Sequence, residues 1–121
     1  MDNGRLRIEN YKGVVYCEWY LDDTEYTEED VKSMIEEIHN NFSPPVDIIL
    51  KKSGSYSFSS GGQLMAKNNI KEFRNFIYIV DNMTKRTSAE YAVSTYMKKY
   101  NTRIASSKEE AYMMLKDSEK K

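Results

Sequence analysis

Apolar and charged residues alternate at the start of the chain. Arg5-Leu6-Arg7-Ile8-Glu9 puts two aliphatic side chains on one side and charges on the other, the period-two signature of a half-buried strand. A second run, Val14 to Tyr20, is rich in β-branched and aromatic residues, which suit a strand. Asn10-Tyr11-Lys12-Gly13 lies between them and supplies a turn in which Gly13 is free to adopt positive φ. The two runs are therefore expected to form an antiparallel hairpin. The period then changes: Val31, Met34, Ile35 and Ile38 recur at spacings of three and four, one stripe of an amphipathic helix. Thr27 is placed to cap that helix, and Glu28, Glu29 and Asp30 suit the positive end of its dipole. Asn40 and Asn41 act as stop signals, and Pro44-Pro45 forbids continuation.

Beyond the prolines, short apolar runs alternate with helical patterns. Val46 to Leu50 reads as a strand covered on both faces. Ser60-Gly61-Gly62-Gln63 has capping-box spacing and opens a second helix carrying Leu64, Met65 and Ile70. Phe76 to Val80 is a strand, and Thr87 to Glu90 opens a helix with Ala92, Val93, Tyr96, Met97 and Tyr100 on one face. Thr102 to Ala105 is a brief strand. Ser107 to Glu110 caps a last helix with Ala111, Met114 and Leu115, and residues 117–121 read as a polar, frayed tail. The order β-β-α-β-α-β-α-β-α implies right-handed crossovers onto a mixed, mostly parallel sheet. The expected fold class is α/β. Residues 1–121 form one domain with its core in 5–116.

Composition narrows the range of functions. With 121 residues, 40% hydrophobic, two Pro and five Gly, the chain is long enough for one core and too apolar for disorder. Eighteen basic residues against 19 acidic ones give a net charge of -1, without the basic excess of a nucleic-acid binder. No nucleic-acid partner is expected. No apolar run approaches the roughly 20 residues needed to span a bilayer, and the N-terminus lacks the pattern of a secretory signal, so no membrane insertion is expected. The single cysteine, Cys17, excludes an internal disulfide and fits the reducing cytoplasm.

The element order, the strand before a Ser-rich loop, and Ser59-Ser60-Gly61 opening a helix resemble the STAS domain of anti-sigma-factor antagonists. The chain is closer still to small bacterial STAS-like proteins of unassigned function. There an initial hairpin precedes an acidic helix start, here Thr27 to Asp30, a Val-Asp strand like Val46-Asp47 follows, and the ending is similar to Ser107-Lys108-Glu109-Glu110-Ala111. The resemblance covers roughly residues 5–116 and rests on no single sharp motif. In the antagonists the loop reads Asp-Ser-Ser-Gly, and its first serine is phosphorylated by a partner kinase. That serine matches Ser59, while Phe58 stands where the family has Asp. The resemblance implies a STAS-like fold and a regulatory protein partner, whether a kinase, an anti-sigma factor or a sensor.

The segment from Lys51 to Ser60 is the most unusual stretch in the chain. Hydroxyls beside a helix N-terminus can accept a phosphate or bind an anion; equally, they can be a polar loop that caps a helix while Tyr56 and Phe58 pack inward. Ligands of open parallel sheets favour the carboxyl ends of the strands. That edge should gather the Ser-rich loop, the Asp81 to Arg86 segment, and Ser106-Ser107. The candidate recognition residues are thus Ser59 and Ser60, surrounded by Ser57, Asp81, Thr84, Lys85 and Arg86. Lys85 and Arg86 would pair with a phosphoserine or an acidic partner, or stand as solvated charges beside a helix start.

Catalytic and metal readings find little support. His39 is the only histidine and lies at the end of the first helix, with no Cys or carboxylate at zinc spacing. Cys17 lies mid-strand, a setting for a buried thiol rather than a reactive one. Gly61-Gly62 lacks the spacing of a phosphate loop, and the acids between Asp22 and Asp30 read as a solvated helix start. No catalytic residue, metal or cofactor is assigned. The leading expectation is a non-enzymatic interaction module switched at Ser59/Ser60. The alternative is a carrier or sensor of a lipid-like or anionic ligand held near Tyr91, Tyr96 and the Ser-rich loop. A homodimer through an edge strand or a tyrosine face is open to the chain.

Overall fold

The computed structural model describes residues 1–52, 56–69, 72–80 and 102–119. Within them run β1 (Leu6–Tyr11), β2 (Val14–Trp19), β3 (Thr24–Tyr26), α1 (Glu28–Asn41), β4 (Val46–Lys52), β5 (Tyr56–Phe58), α2 (Ser60–Asn69), β6 (Phe73–Ile79), β7 (Thr102–Ala105) and α3 (Lys108–Glu119). Among the described residues the main sheet has five strands, in the order β1-β2-β4-β6-β7. β1 and β2 are antiparallel, and the pairs β2/β4, β4/β6 and β6/β7 are parallel. This is the mostly parallel α/β architecture that the alternation of periods predicts. The helix expected from Thr87 lies outside the described residues.

The hairpin closes through Lys12 and Gly13, both at positive φ (53° and 89°), with Tyr11 opposite Val14. Two consecutive left-handed residues give the loop a twist that matches the strands, and Asn10 Oδ1 accepts a hydrogen bond from Gly13 N at 2.8 Å. At the start of α1, Asp30 turns back, its Oδ2 accepting from Thr27 N at 2.8 Å. Arg5 clamps the same carboxylate with Nε at 2.7 Å and a terminal nitrogen at 3.1 Å, tying β1 to the helix start.

The strand order advances in one direction, so right-handed crossovers place α1 and α2 on one face of the sheet. That face carries Val15, Cys17 and Trp19 from β2, Ile48 and Leu50 from β4, and Phe76 and Tyr78 from β6. The alternate residues Val14, Tyr16, Ile49, Ile77, Ile79 and Ala105 face the other way. α3 packs over this second face with Ala111 and Leu115. Its first turn is capped as the sequence predicts, Ser107 Oγ accepting from Glu110 N at 3.1 Å. The helix runs on to Glu119, into the stretch read as a frayed tail; nothing in Lys116-Asp117-Ser118-Glu119 breaks a helix.

A buried carboxylate anchors the amino ends of the strands. The pairing of β4 with β6 shifts between Val46 and Asp47. There Asp47 accepts from Arg74 Nε at 3.0 Å, from a terminal Arg74 nitrogen at 2.6 Å, and from Asn75 Nδ2 at 2.9 Å. Burial pushes the Asp47 carboxyl up, yet the Arg74 and Asn75 hydrogen bonds and the nearby Arg103 charge outweigh it and hold it below its ordinary range.

Two short strands depart from the expected order. β3 and β5 pair in parallel as a separate two-stranded sheet, with Thr24, Glu25 and Tyr26 opposite Tyr56, Ser57 and Phe58. This ribbon begins where β2 and β4 have left the main sheet, and it carries the chain to the starts of α1 and α2.

Candidate functional site

β5 and the start of α2 decide the fate of the Ser-rich loop. α2 begins at Ser60, so the residue that caps it is Ser59, whose Oγ accepts from Gly62 N at 3.0 Å. This corrects the capping box expected for Ser60 and Gln63. Gln63 instead donates from Nε2 to Phe58 O at 3.0 Å. The register is fixed by Ser59 N donating to Tyr26 O at 2.9 Å, which holds the loop against β3 and leaves the hydroxyl free to cap. Ser59 is half-buried, whereas Ser57 and Ser60 are exposed. The two helix starts abut: a Cβ placed on Gly61 would lie 3.2 Å from Glu28 Oε2, and one on Gly62 would lie 3.1 Å from Tyr26 O. A negative charge added at Ser59 would therefore displace the cap on Gly62 N.

Tyr56 and Phe58 pack inward. Phe58, at the position of the antagonist acid, sits with ring centroid 5.3 Å from Trp19 and 5.5 Å from Tyr56, edge to face in both cases. Tyr26 is the hub, 4.5 Å from Trp19 and 4.9 Å from Tyr56, arrangements that favour aromatic pairs. Its hydroxyl donates to Arg5 O at 2.7 Å and accepts from Leu21 N at 3.2 Å, so the cluster is pinned at its buried end. An aspartate in place of Phe58 would disturb this packing.

Of these rings Trp19, Tyr56 and Phe58 line one end of a cavity of about 790 Å³ between the sheet and the helices. The sheet supplies a floor of Trp19, Leu50, Phe76 and Tyr78, and α1 a wall of Val31, Met34 and Ile35. The opposing wall is α2, with Ser60, Gln63, Leu64 and Lys67. Leu64 is 60% exposed and stands at the mouth. Burial pushes the Tyr78 phenol up to about 12 and raises Tyr56 further, so both rings present neutral hydroxyls at physiological pH. Cys17 is fully buried beneath the floor and burial raises its thiol, which makes it inert. The Trp19 Nε1 is buried without a full hydrogen bond; its neighbour on the strand is the Cys17 sulfur, a weak acceptor.

The remaining candidates fall in different places. Ser106 and Ser107 lie at the carboxyl end of β7, on the expected edge, where Ser107 is a helix cap. Asp81, Thr84, Lys85 and Arg86, together with Tyr91, Tyr96 and Tyr100, lie outside the described residues. His39 Nε2 is 3.0 Å from Glu72 Oε2 on the surface. Among the described residues no group of three or more His, Cys, Asp or Glu could hold a metal ion, and no helix is long and apolar enough to cross a membrane. Basic and aromatic residues do interleave on the α3 face. Lys108 Nζ lies 4.6 Å from the ring centroids of both Tyr11 and Tyr16, and Lys12 Nζ lies 4.8 Å from that of Tyr112. Those cations already rest on rings of their own chain.

The cavity itself was missed at the level of sequence. Its floor is legible as the alternate residues of three strands, but the gap between that floor and α2 is a tertiary distance. The structure shows the gap in the burial of α2, where Gly62 is the one buried residue, so the helix does not seal the face it lies over. No protein-family model matches the chain, and neither curated proteins nor solved structures give a match.

Proposed function

We propose that this chain is a non-enzymatic ligand-binding domain that takes a small, mostly apolar molecule between α1, α2 and the sheet, and serves as a carrier or sensor. The observation that carries the reading is the cavity of about 790 Å³ floored by Trp19, Leu50, Phe76 and Tyr78. Its size and its apolar lining with a few polar groups fit small-molecule sites. The reading as binding is supported by the lining, which is mostly apolar and offers neutral hydroxyls at Tyr56 and Tyr78. Ala66 on α2 also lines the cavity, so Ala66→Trp should fill it. The expected result is one equivalent of a fluorescent apolar probe such as anilinonaphthalene sulfonate bound by the unmodified chain, and binding at least about tenfold weaker in the variant. An equally tight complex in a folded Ala66→Trp protein would place the probe elsewhere and remove the basis of the proposal.

A second reading, recognition of a regulatory protein at the start of α2, is favoured by the exposure of Ser60 beside a capped helix end. It keeps the STAS-like relationship as a proposal, supported by the element order and by Ser59-Ser60-Gly61 opening a helix. On this reading Ser60 is the residue to modify and Ser59 the structural one. A partner whose binding is weakened by Ser57→Asp as much as by Ser60→Asp would argue against a specific role for Ser60.

A further inference from the structure

We infer that the molecule held in the cavity is an elongated amphiphile with one acidic head group, which pairs with Lys67. This inference rests on the ligand-binding reading above and adds the chemistry of the ligand. The cavity runs the length of the strands: on β6 alone its lining extends from Phe73 to Tyr78, about 16 Å of extended chain. Among the described residues its one charge lies on one side, and the strands add polar side-chain atoms only at Trp19, Tyr56 and Tyr78. The sheet and α1 contribute aliphatic and aromatic side chains, while Ser60, Gln63 and Lys67 recur along α2 at spacings of three and four, a single line on one helix face.

The line is uneven in charge. α2 contains no acidic residue, and Lys67 forms no ion pair among the described residues. It is the only cation among the described lining residues, and an aspartate or glutamate is absent from that lining. Lys67 is exposed, so its ammonium needs no partner for stability and stands at the rim with its stem along apolar surface. The two ends of the cavity therefore differ. Trp19, 1% exposed, sits among the packed rings at the carboxyl end of β2. Lys67 lies in the last turn of α2, about 10 Å along the helix from Ser60 and toward the start of β6. A ligand whose apolar body lies against the lining side chains that keep exposed surface, Tyr56, Phe58, Leu64 and Tyr78, and whose carboxylate meets Lys67, buries that body and leaves its charge at a wet, complementary rim. A neutral or cationic head would forgo that pairing.

Trp19 is the only tryptophan and lies on the cavity floor, so its fluorescence reports occupancy directly. Dodecanoate and dodecanol, matched in chain length and used below their aggregation limits, should be titrated into the full chain and into Lys67→Gln. The unmodified chain should bind dodecanoate up to about fivefold more tightly than dodecanol, as expected for one ion pair at an exposed rim. Lys67→Gln should lose that preference while its affinity for dodecanol is unchanged. Lys67→Glu should reverse it, gaining affinity for dodecylammonium, a gain that a misfolded variant could not produce. Equal binding of the acid and the alcohol by the unmodified chain would overturn the assignment of the head group and leave the cavity reading standing. A preference for the acid that survives Lys67→Gln would overturn the role of Lys67. Failure of all three amphiphiles to perturb Trp19 would overturn the cavity reading, and this inference with it.

Discussion

Two adjacent glycines at the start of α2 show how narrowly this site is specified. In a helix, replacing glycine by alanine gains up to about 1 kcal/mol through the backbone entropy of the unfolded chain, provided that the new methyl group fits. At Gly61 the nearest obstacle is the Glu28 side chain at 3.2 Å, whose carboxylate is the flexible end and can move aside. At Gly62 the obstacles are Tyr26 O at 3.1 Å and Thr27 C at 3.3 Å, both backbone. That backbone is pinned by the hydrogen bond from Ser59 and by the start of α1. Gly61→Ala should therefore be neutral or stabilising by up to about 1 kcal/mol, and Gly62→Ala should be destabilising by about 1–3 kcal/mol. Urea unfolding of the two variants gives the comparison directly. If Gly62→Ala proved the more stable, the close approach of α2 to β3 would be wrong. The sequence shows that two glycines stand here, and their different duties come only from what lies across the interface. The same holds for Ser59 and Ser60: either serine can cap a helix, and the bond from Ser59 N to Tyr26 O selects the first.

At the scale of elements, two carboxylates join parts that are distant in sequence. Asp30 ties α1 to β1 through Arg5, and Asp47 ties β4 to β6 through Arg74 and Asn75. For Asp30, burial raises the carboxyl, but the hydrogen bonds from Arg5 and Thr27 outweigh it and hold it below its ordinary range; Asp47 behaves alike. A carboxyl depressed in the folded state binds protons more tightly once the chain unfolds. Its contribution is therefore complete above the unfolded value and is lost as pH falls through the folded one. Stability should accordingly hold at neutral pH and decline as pH falls below about 5. In Asp30→Asn and Asp47→Asn the urea midpoint should be lower at pH 7 and should change less over that acid range. Acid sensitivity identical to that of the unmodified chain in both variants would refute the assignment. These links also mark what was legible at this scale. The stripe Val31, Met34, Ile35 and Ile38 is local and periodic, so α1 can be read directly. β3 and β5 have three residues each, too few for a period, and their pairing is accompanied by the tertiary contact of Tyr26 with Tyr56.

Across the whole molecule, the sheet separates two apolar layers with different duties. On one face Ala111 and Leu115 of α3 pack onto Ile49, Ile77 and Ala105; on the other, α1 and α2 stand over the cavity floor. The alternation of side chains along β2, β4 and β6 was readable in the sequence. Which face would be filled and which would be left hollow was not, because that depends on how closely each helix approaches. Leu115 is 2% exposed, so Leu115→Ala should cost about 2–5 kcal/mol and lower the melting temperature markedly. It touches the layer opposite the cavity, and energies of separated sites add. A ligand that binds only the folded chain stabilises it by an amount set by ligand concentration and Kd alone. Saturating dodecanoate should therefore stabilise Leu115→Ala by the same free energy as the unmodified chain, within about 0.5 kcal/mol. Met34→Ala, at the cavity wall, should change that increment. Chemical unfolding with and without ligand would measure both. If the increment fell in Leu115→Ala while persisting in Met34→Ala, the ligand would lie on the α3 face, and the sheet would have its storage and sealing sides exchanged.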